Sequence, residues 1–267
     1  MAATALTVRL PGALLGRRAP AAATASGLAF DEPGGPVLAV CGLAGGAGTT
    51  TLAWLLARHA ARESAAAVLI CEPEALAAGL ADRAGAASTT ALGELARLVD
   101  AGERPTTGAF ADLGDGLRLI AAAPRQAHPA PAAALARVLS DARAAHGLVV
   151  CDCRTLDHPA SAALIAGATH VLWTLPAAAT AVRQARAMVH AGSLSSPGRA
   201  REALVAIATH PGERTSVGDL RALAGARHER LILLPHIPEL ARGADSDRRG
   251  RLAGALTQLA TFLRRPR

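Results

Sequence analysis

Two kinds of hydrophobic pattern alternate along the chain. Short, nearly unbroken apolar runs occur at 36–41, 67–71, 117–122, 147–152, 169–174, 203–208 and 230–234. Between them, near 50–63, 89–100, 130–145, 159–166, 178–191, 216–224 and 247–264, apolar residues recur every three or four positions. The short runs read as strands and the periodic segments as amphipathic helices. Strands alternating with helices build βαβ units, hence parallel strands with crossover helices. Runs such as Leu148-Val149-Val150 are apolar at every position, as a strand covered on both faces requires. The predicted class is α/β: a doubly wound, mostly parallel sheet of about seven strands with helices on both faces.

Residues 1–34 lack either pattern. They are rich in Ala, Pro and Gly, include Arg17-Arg18, and read as a flexible leader with a short ordered piece at Ala5–Leu15. Residues 35–267 read as one domain. The Pro/Gly/Ser-rich stretch 192–199 and the segment 235–246 are loops, because the alternation resumes after each. A chain of 267 residues fits one large α/β domain. With 51% hydrophobic and only 2% aromatic residues, its core must be built from Ala, Leu and Val.

Composition removes several function classes. No apolar run reaches the roughly 18 residues of a membrane span, and no secretory signal opens the chain. The four cysteines, Cys41, Cys71, Cys151 and Cys153, match no zinc spacing. They read as small buried hydrophobes of a reduced, cytoplasmic protein. The nine histidines form no ligand pattern, and no nucleophile elbow is present. The net charge of +7 permits contact with DNA or an anionic membrane surface, but the Arg residues are spread along the chain as on an ordinary basic surface. All 28 basic residues are Arg, a bias expected of a GC-rich bacterial genome.

The chemistry concentrates after the first run. Val37-Leu-Ala-Val-Cys-Gly-Leu-Ala-Gly-Gly-Ala-Gly-Thr-Thr-Thr-Leu-Ala53 is a strand, a glycine-rich turn and a helix start. Such a turn points backbone N–H groups at phosphate oxygens, beside a helix N-terminus whose dipole favours anions. Gly45, Gly46, Ala47, Gly48, Thr49, Thr50 and Thr51 are the candidate nucleotide-binding residues, and Thr50 is placed to ligate Mg²⁺. Asp152 ends the apolar strand 148–152, so its carboxylate is a candidate metal contact and catalytic group. Val68-Leu-Ile-Cys-Glu72-Pro-Glu74 is a second strand ending in acids, of which Glu72 or Glu74 could orient water. Arg154 is the nearest cation that could replace a missing Lys, or an ordinary surface Arg.

Over roughly residues 36–265 the chain resembles the ParA/MinD family of deviant-Walker-A (SIMIBI-type) P-loop ATPases. The family loop, Lys-Gly-Gly-x-Gly-Lys-Thr-Thr, falls on Ala44-Gly45-Gly46-Ala47-Gly48-Thr49-Thr50-Thr51. Three glycines and both hydroxyls match, while the signature Lys is Ala44 and the Walker Lys is Thr49. The resemblance implies that Glu74 is the switch I acid, Asp152 the Walker B acid, and Pro235 part of the element beside adenine. It also resembles the atypical branch of pilus-assembly and septum-site positioning proteins, whose loop is degenerate.

The resemblance implies a positioning or regulatory protein, a pseudo-ATPase that binds ATP and Mg²⁺ weakly or not at all. It would act through protein partners of a positioning, secretion or division system, and could form a homodimer. A second reading is a slow Mg-dependent ATPase activated by a partner, DNA or membrane. A third is a non-catalytic basic adaptor on DNA or on the inner face of the membrane. Leu252, Leu256, Leu259, Phe262 and Leu263 share one helical face. They read as the helix covering the final strand, in preference to a membrane-targeting helix.

Overall fold

The computed structural model describes residues 7–9, 30, 32–73, 79–86, 90–103, 109–121, 130–154, 156, 159–190, 201–210, 216–225, 230–236 and 251–264. In chain order the elements are β1 (Thr7–Arg9), β2 (Val37–Gly42), α1 (Thr49–Glu63), β3 (Val68–Cys71), α2 (Leu80–Ala84) and α3 (Leu92–Asp100). There follow β4 (Ala111–Asp112), β5 (Leu117–Ile120), α4 (Ala132–Ala145), β6 (Leu148–Cys153), α5 (Pro159–Gly167) and β7 (His170–Pro176). The last are α6 (Ala179–His190), β8 (Arg201–Ile207), α7 (Val217–Ala224), β9 (Arg230–Leu234) and α8 (Arg251–Leu263).

The strands form one sheet in the order β1-β9-β8-β7-β2-β6-β3-β5-β4. All seven runs expected as strands are in it, from β2 to β9, and they pair in parallel. Two short antiparallel strands finish the edges: β1 on β9 and β4 on β5. The sheet therefore has nine strands rather than about seven. Thr7–Arg9 lies inside the segment read as a leader and forms part of this sheet.

Strand alternation sorts the interior into two layers. On one face Ala39, Cys41, Cys151, Cys153 and Trp173 pack under α3 to α7. On the other Leu38, Val40, Val150 and Leu172 pack under α1, α2 and α8. The apolar face of α8 is spent on this second layer, with Leu252, Leu256, Leu259, Phe262 and Leu263 all buried. Each such side chain contributes about 1.5–3 kcal/mol by leaving water. Arg201 Nη1 closes the end of α8, donating to the carbonyls of Phe262 (2.9 Å) and Arg264 (3.0 Å). No helix of the described residues is long and apolar enough to cross a membrane.

The chain runs from β2 outward to β3 and β5, returns to β6 between β2 and β3, and then crosses to β7 on the other side of β2. The winding direction reverses around β2. In open parallel sheets the crevice for ligands lies at the C-terminal ends of the strands beside such a reversal. The glycine loop leaves β2 at that point.

Candidate functional site

Between β2 and α1 the loop is open on its outer side. Gly45 and Gly46 are exposed, and a Cβ on either would meet nothing within 4 Å. Gly48, the N-cap of α1, has φ 73°, a left-handed conformation that favours glycine. No side chain caps α1, and its first turn carries no acid. The amides of a helix 15 residues long are thus presented at the crevice with their positive dipole end uncompensated.

Thr49, the first residue of α1, points the other way. It is buried, and its Oγ1 lies 2.9 Å from Thr174 Oγ1 at the end of β7. Thr174 donates its own proton to the Cys41 carbonyl at 3.1 Å, so Thr49 is the donor between the two hydroxyls. The side chain is held under the loop, against the strand ends.

Strand alternation assembles the acids. Cys71 and Cys151 are paired across β3 and β6, so the residues after them, Glu72 and Asp152, emerge side by side on the α1 face. Thr50 Oγ1 donates to Asp152 Oδ2 at 2.7 Å. Arg154 Nε donates to the same oxygen at 3.0 Å, and Arg154 Nη2 reaches Glu72 Oε2 at 3.4 Å. Glu72 Oε2 also accepts the Leu80 amide at 3.0 Å, capping α2. Gly79 is required there, since a Cβ would sit 2.9 Å from Glu72 Oε1. Burial raises the Asp152 carboxyl above its ordinary range, against the opposing pull of the Thr50 hydrogen bond and of Arg154. Asp152 Oδ1 is buried with no hydrogen-bond partner among the described residues.

Thr50, Asp152 and Glu72 are hard oxygen donors of the kind Mg²⁺ takes. Yet the guanidinium of Arg154 already lies on Asp152 Oδ2 and against Glu72. As arranged, these residues do not fit a divalent cation between them. Glu74 lies outside the described residues.

Beside the loop a cavity of about 200 Å³ is lined by Gly48, Thr51, Leu52, Ile207, Pro235 and Leu252, among others. It is mainly apolar and sits where a base would stack if phosphates lay on the loop. Pro235 and Gly48 both line it. Ala47 is buried under the loop. Arg83 of α2 carried no motif and was not anticipated. Its Nη1 lies 3.4 Å from Thr51 Oγ1, and its Nε is buried with no hydrogen-bond partner among the described residues. Only its distance in sequence from the loop hid it.

All four cysteines are free and buried on the opposite face of the sheet. Cys71 Sγ and Cys151 Sγ are 3.6 Å apart. Hydrogen bonding to Cys71 and Cys41 respectively, and then burial, push the Cys151 and Cys153 thiols well up, which makes them inert. No group of three metal-ligating side chains occurs among the described residues.

No model of a known protein family matches the sequence, and no curated protein matches it. Solved structures do match the fold. A ParA family ATPase from Chlorobium tepidum TLS superposes with a TM-score of 0.71 at 13% identity, covering 88% of this chain and 100% of that one. The cell division ATPase MinD of Pyrococcus furiosus gives 0.64 at 15% identity, covering 86% and 98%. Cobyrinic acid a,c-diamide synthase from Mycobacterium smegmatis, solved with an ATP analog and magnesium, gives 0.58 at 20% identity, covering 85% and 93%. Sheet order, loop position and these superpositions lead to one conclusion: the chain has the ParA/MinD-type P-loop ATPase fold.

Proposed function

We propose that this protein is a ParA/MinD-like positioning or regulatory protein that binds a nucleoside triphosphate weakly and hydrolyses little or none of it. One observation carries the reading: Thr49 stands where the phosphate-binding Lys would, and its side chain is turned inward onto Thr174. The loop amides, the dipole of α1 and the apolar cavity remain to hold a nucleotide. A charge-assisted hydrogen bond is worth about 1.5–3 kcal/mol, so losing the Lys lowers affinity by roughly 10- to 150-fold. Hydrolysis suffers more. Cations aimed at the γ-phosphoryl oxygens contribute about 10³-fold or more, and Arg154 is committed to the acids.

Such a protein signals by being occupied or empty, and its output is contact with a protein partner. Calorimetric titration with ATP, beside a phosphate-release assay, tests the reading. Weak binding abolished by Gly48→Asp, with release at background, is the expected result. No heat at several millimolar ATP, or steady turnover by the protein alone, would overturn it.

A further inference from the structure

We infer that Arg154 takes the place of the divalent cation in this site, so that the polyphosphate ligand is bound without metal. Asp152 is fully buried and Glu72 nearly so, while the Arg154 side chain is 16% exposed and opens toward the crevice. Two buried carboxylates side by side need a counter-charge. In this chain the counter-charge is covalently attached. Arg154 follows β6 directly and, two residues after Asp152, falls on the same face of the sheet.

The contacts are those of a replacement rather than of a surface pair. Nε lies on the oxygen that also takes the Thr50 hydroxyl, while Nη2 spans to Glu72. The guanidinium thus joins the two acids, on the oxygen that Thr50 also uses. It is permanently charged and planar, and its fork satisfies two carboxylates at once. A divalent ion on Asp152 Oδ2 would have to displace it.

The nucleotide arm of the test rests on the function proposed above, whereas the metal arm does not. In the metal arm, Mn²⁺ is titrated into full-length protein without nucleotide and followed by electron paramagnetic resonance. Wild type should show no bound Mn²⁺ up to about 1 mM, the weak limit of carboxylate sites. Arg154→Gln should gain a bound signal, Arg154→Lys should not, and adding Asp152→Asn to Arg154→Gln should erase it. Bound Mn²⁺ in wild type would overturn the inference.

In the nucleotide arm, ATP is titrated into wild type with excess Mg²⁺ or with EDTA. Affinities should agree within about threefold, and a loss of about tenfold or more in EDTA would overturn the inference. This arm needs no variant, so it stands if Arg154→Gln does not fold. Absence of ATP binding in both conditions would defeat the nucleotide reading and leave the Mn²⁺ titration to decide.

Discussion

Thr49 Oγ1 lies 2.9 Å from Thr174 Oγ1, tying the first residue of α1 to the end of β7 beneath the glycine loop. The tie satisfies a buried hydroxyl and pins the loop to the sheet. Thr49→Lys should break it and restore a cation to the loop. Because Thr174 keeps the Cys41 carbonyl, only about 1 kcal/mol of stability should be lost. ATP affinity should rise by roughly 10- to 150-fold, the inverse of the loss argued above, as read by calorimetry.

The glycines of the loop should respond unequally. Gly45→Ala meets open space at an ordinary φ, and should change stability by less than about 0.5 kcal/mol. Gly48→Ala forces a left-handed residue, with its Cβ 3.4 Å from Ile207 Cδ1, and should cost about 1–2 kcal/mol. Urea midpoints of the two variants measure the difference.

Removing Arg154 should destabilise the protein in a pH-dependent way. Arg154→Gln leaves Glu72 and Asp152 buried without the guanidinium between them. Breaking such a cluster costs about 3–5 kcal/mol, and the partial exposure of Arg154 places this one at the lower end, about 3 kcal/mol. The loss should shrink as Asp152, whose carboxyl burial raises, takes up a proton, so urea unfolding at pH 7 and pH 5 (about one unit above ordinary carboxyl values) gives the check.

Asp152 itself should show the reverse of ordinary acid denaturation. Burial, outweighing the Thr50 hydrogen bond and Arg154, raises its carboxyl. Above the unfolded value the folded chain therefore keeps a proton that the unfolded chain has released. Its contribution is complete below about pH 4, the unfolded value, and is lost as pH climbs through the folded one. The stability of wild type minus that of Asp152→Asn should fall as pH rises from about 4 toward 7. A gap that widens instead would mean that Arg154 outweighs burial.

Phe262 anchors α8. It is fully buried, edge-on to His170 with ring centroids 5.3 Å apart, beneath the Arg201 guanidinium. Phe262→Ala should cost about 3–5 kcal/mol in urea unfolding.

How much of this was legible in the sequence follows from the length of each signal. Strands such as Leu148–Cys153 announce themselves because burial on both faces makes every position apolar. Thr7–Arg9 and Ala111–Asp112 do not, since an edge of two or three residues is set by the neighbour it pairs with. The five-residue α2 is too short to show a period, and it depends on Glu72 for its cap. The loop was readable from glycine spacing alone. The direction of Thr49 was not, because it depends on Thr174, 125 residues later. Arg154 was singled out by its place two residues after Asp152. Its hold on both acids needed the register of β3 against β6.

The cavity beside the loop has walls from both ends of the domain: Gly48 and Leu52 start α1, while Leu252 begins α8. During synthesis the glycine loop leaves the ribosome some 200 residues before the helix that closes the pocket. A chain that stops short of α8 has the loop amides but lacks Leu252 in the cavity wall. Under the function proposed above, a ligand in the cavity touches both α1 and α8 and acts as a clasp between them.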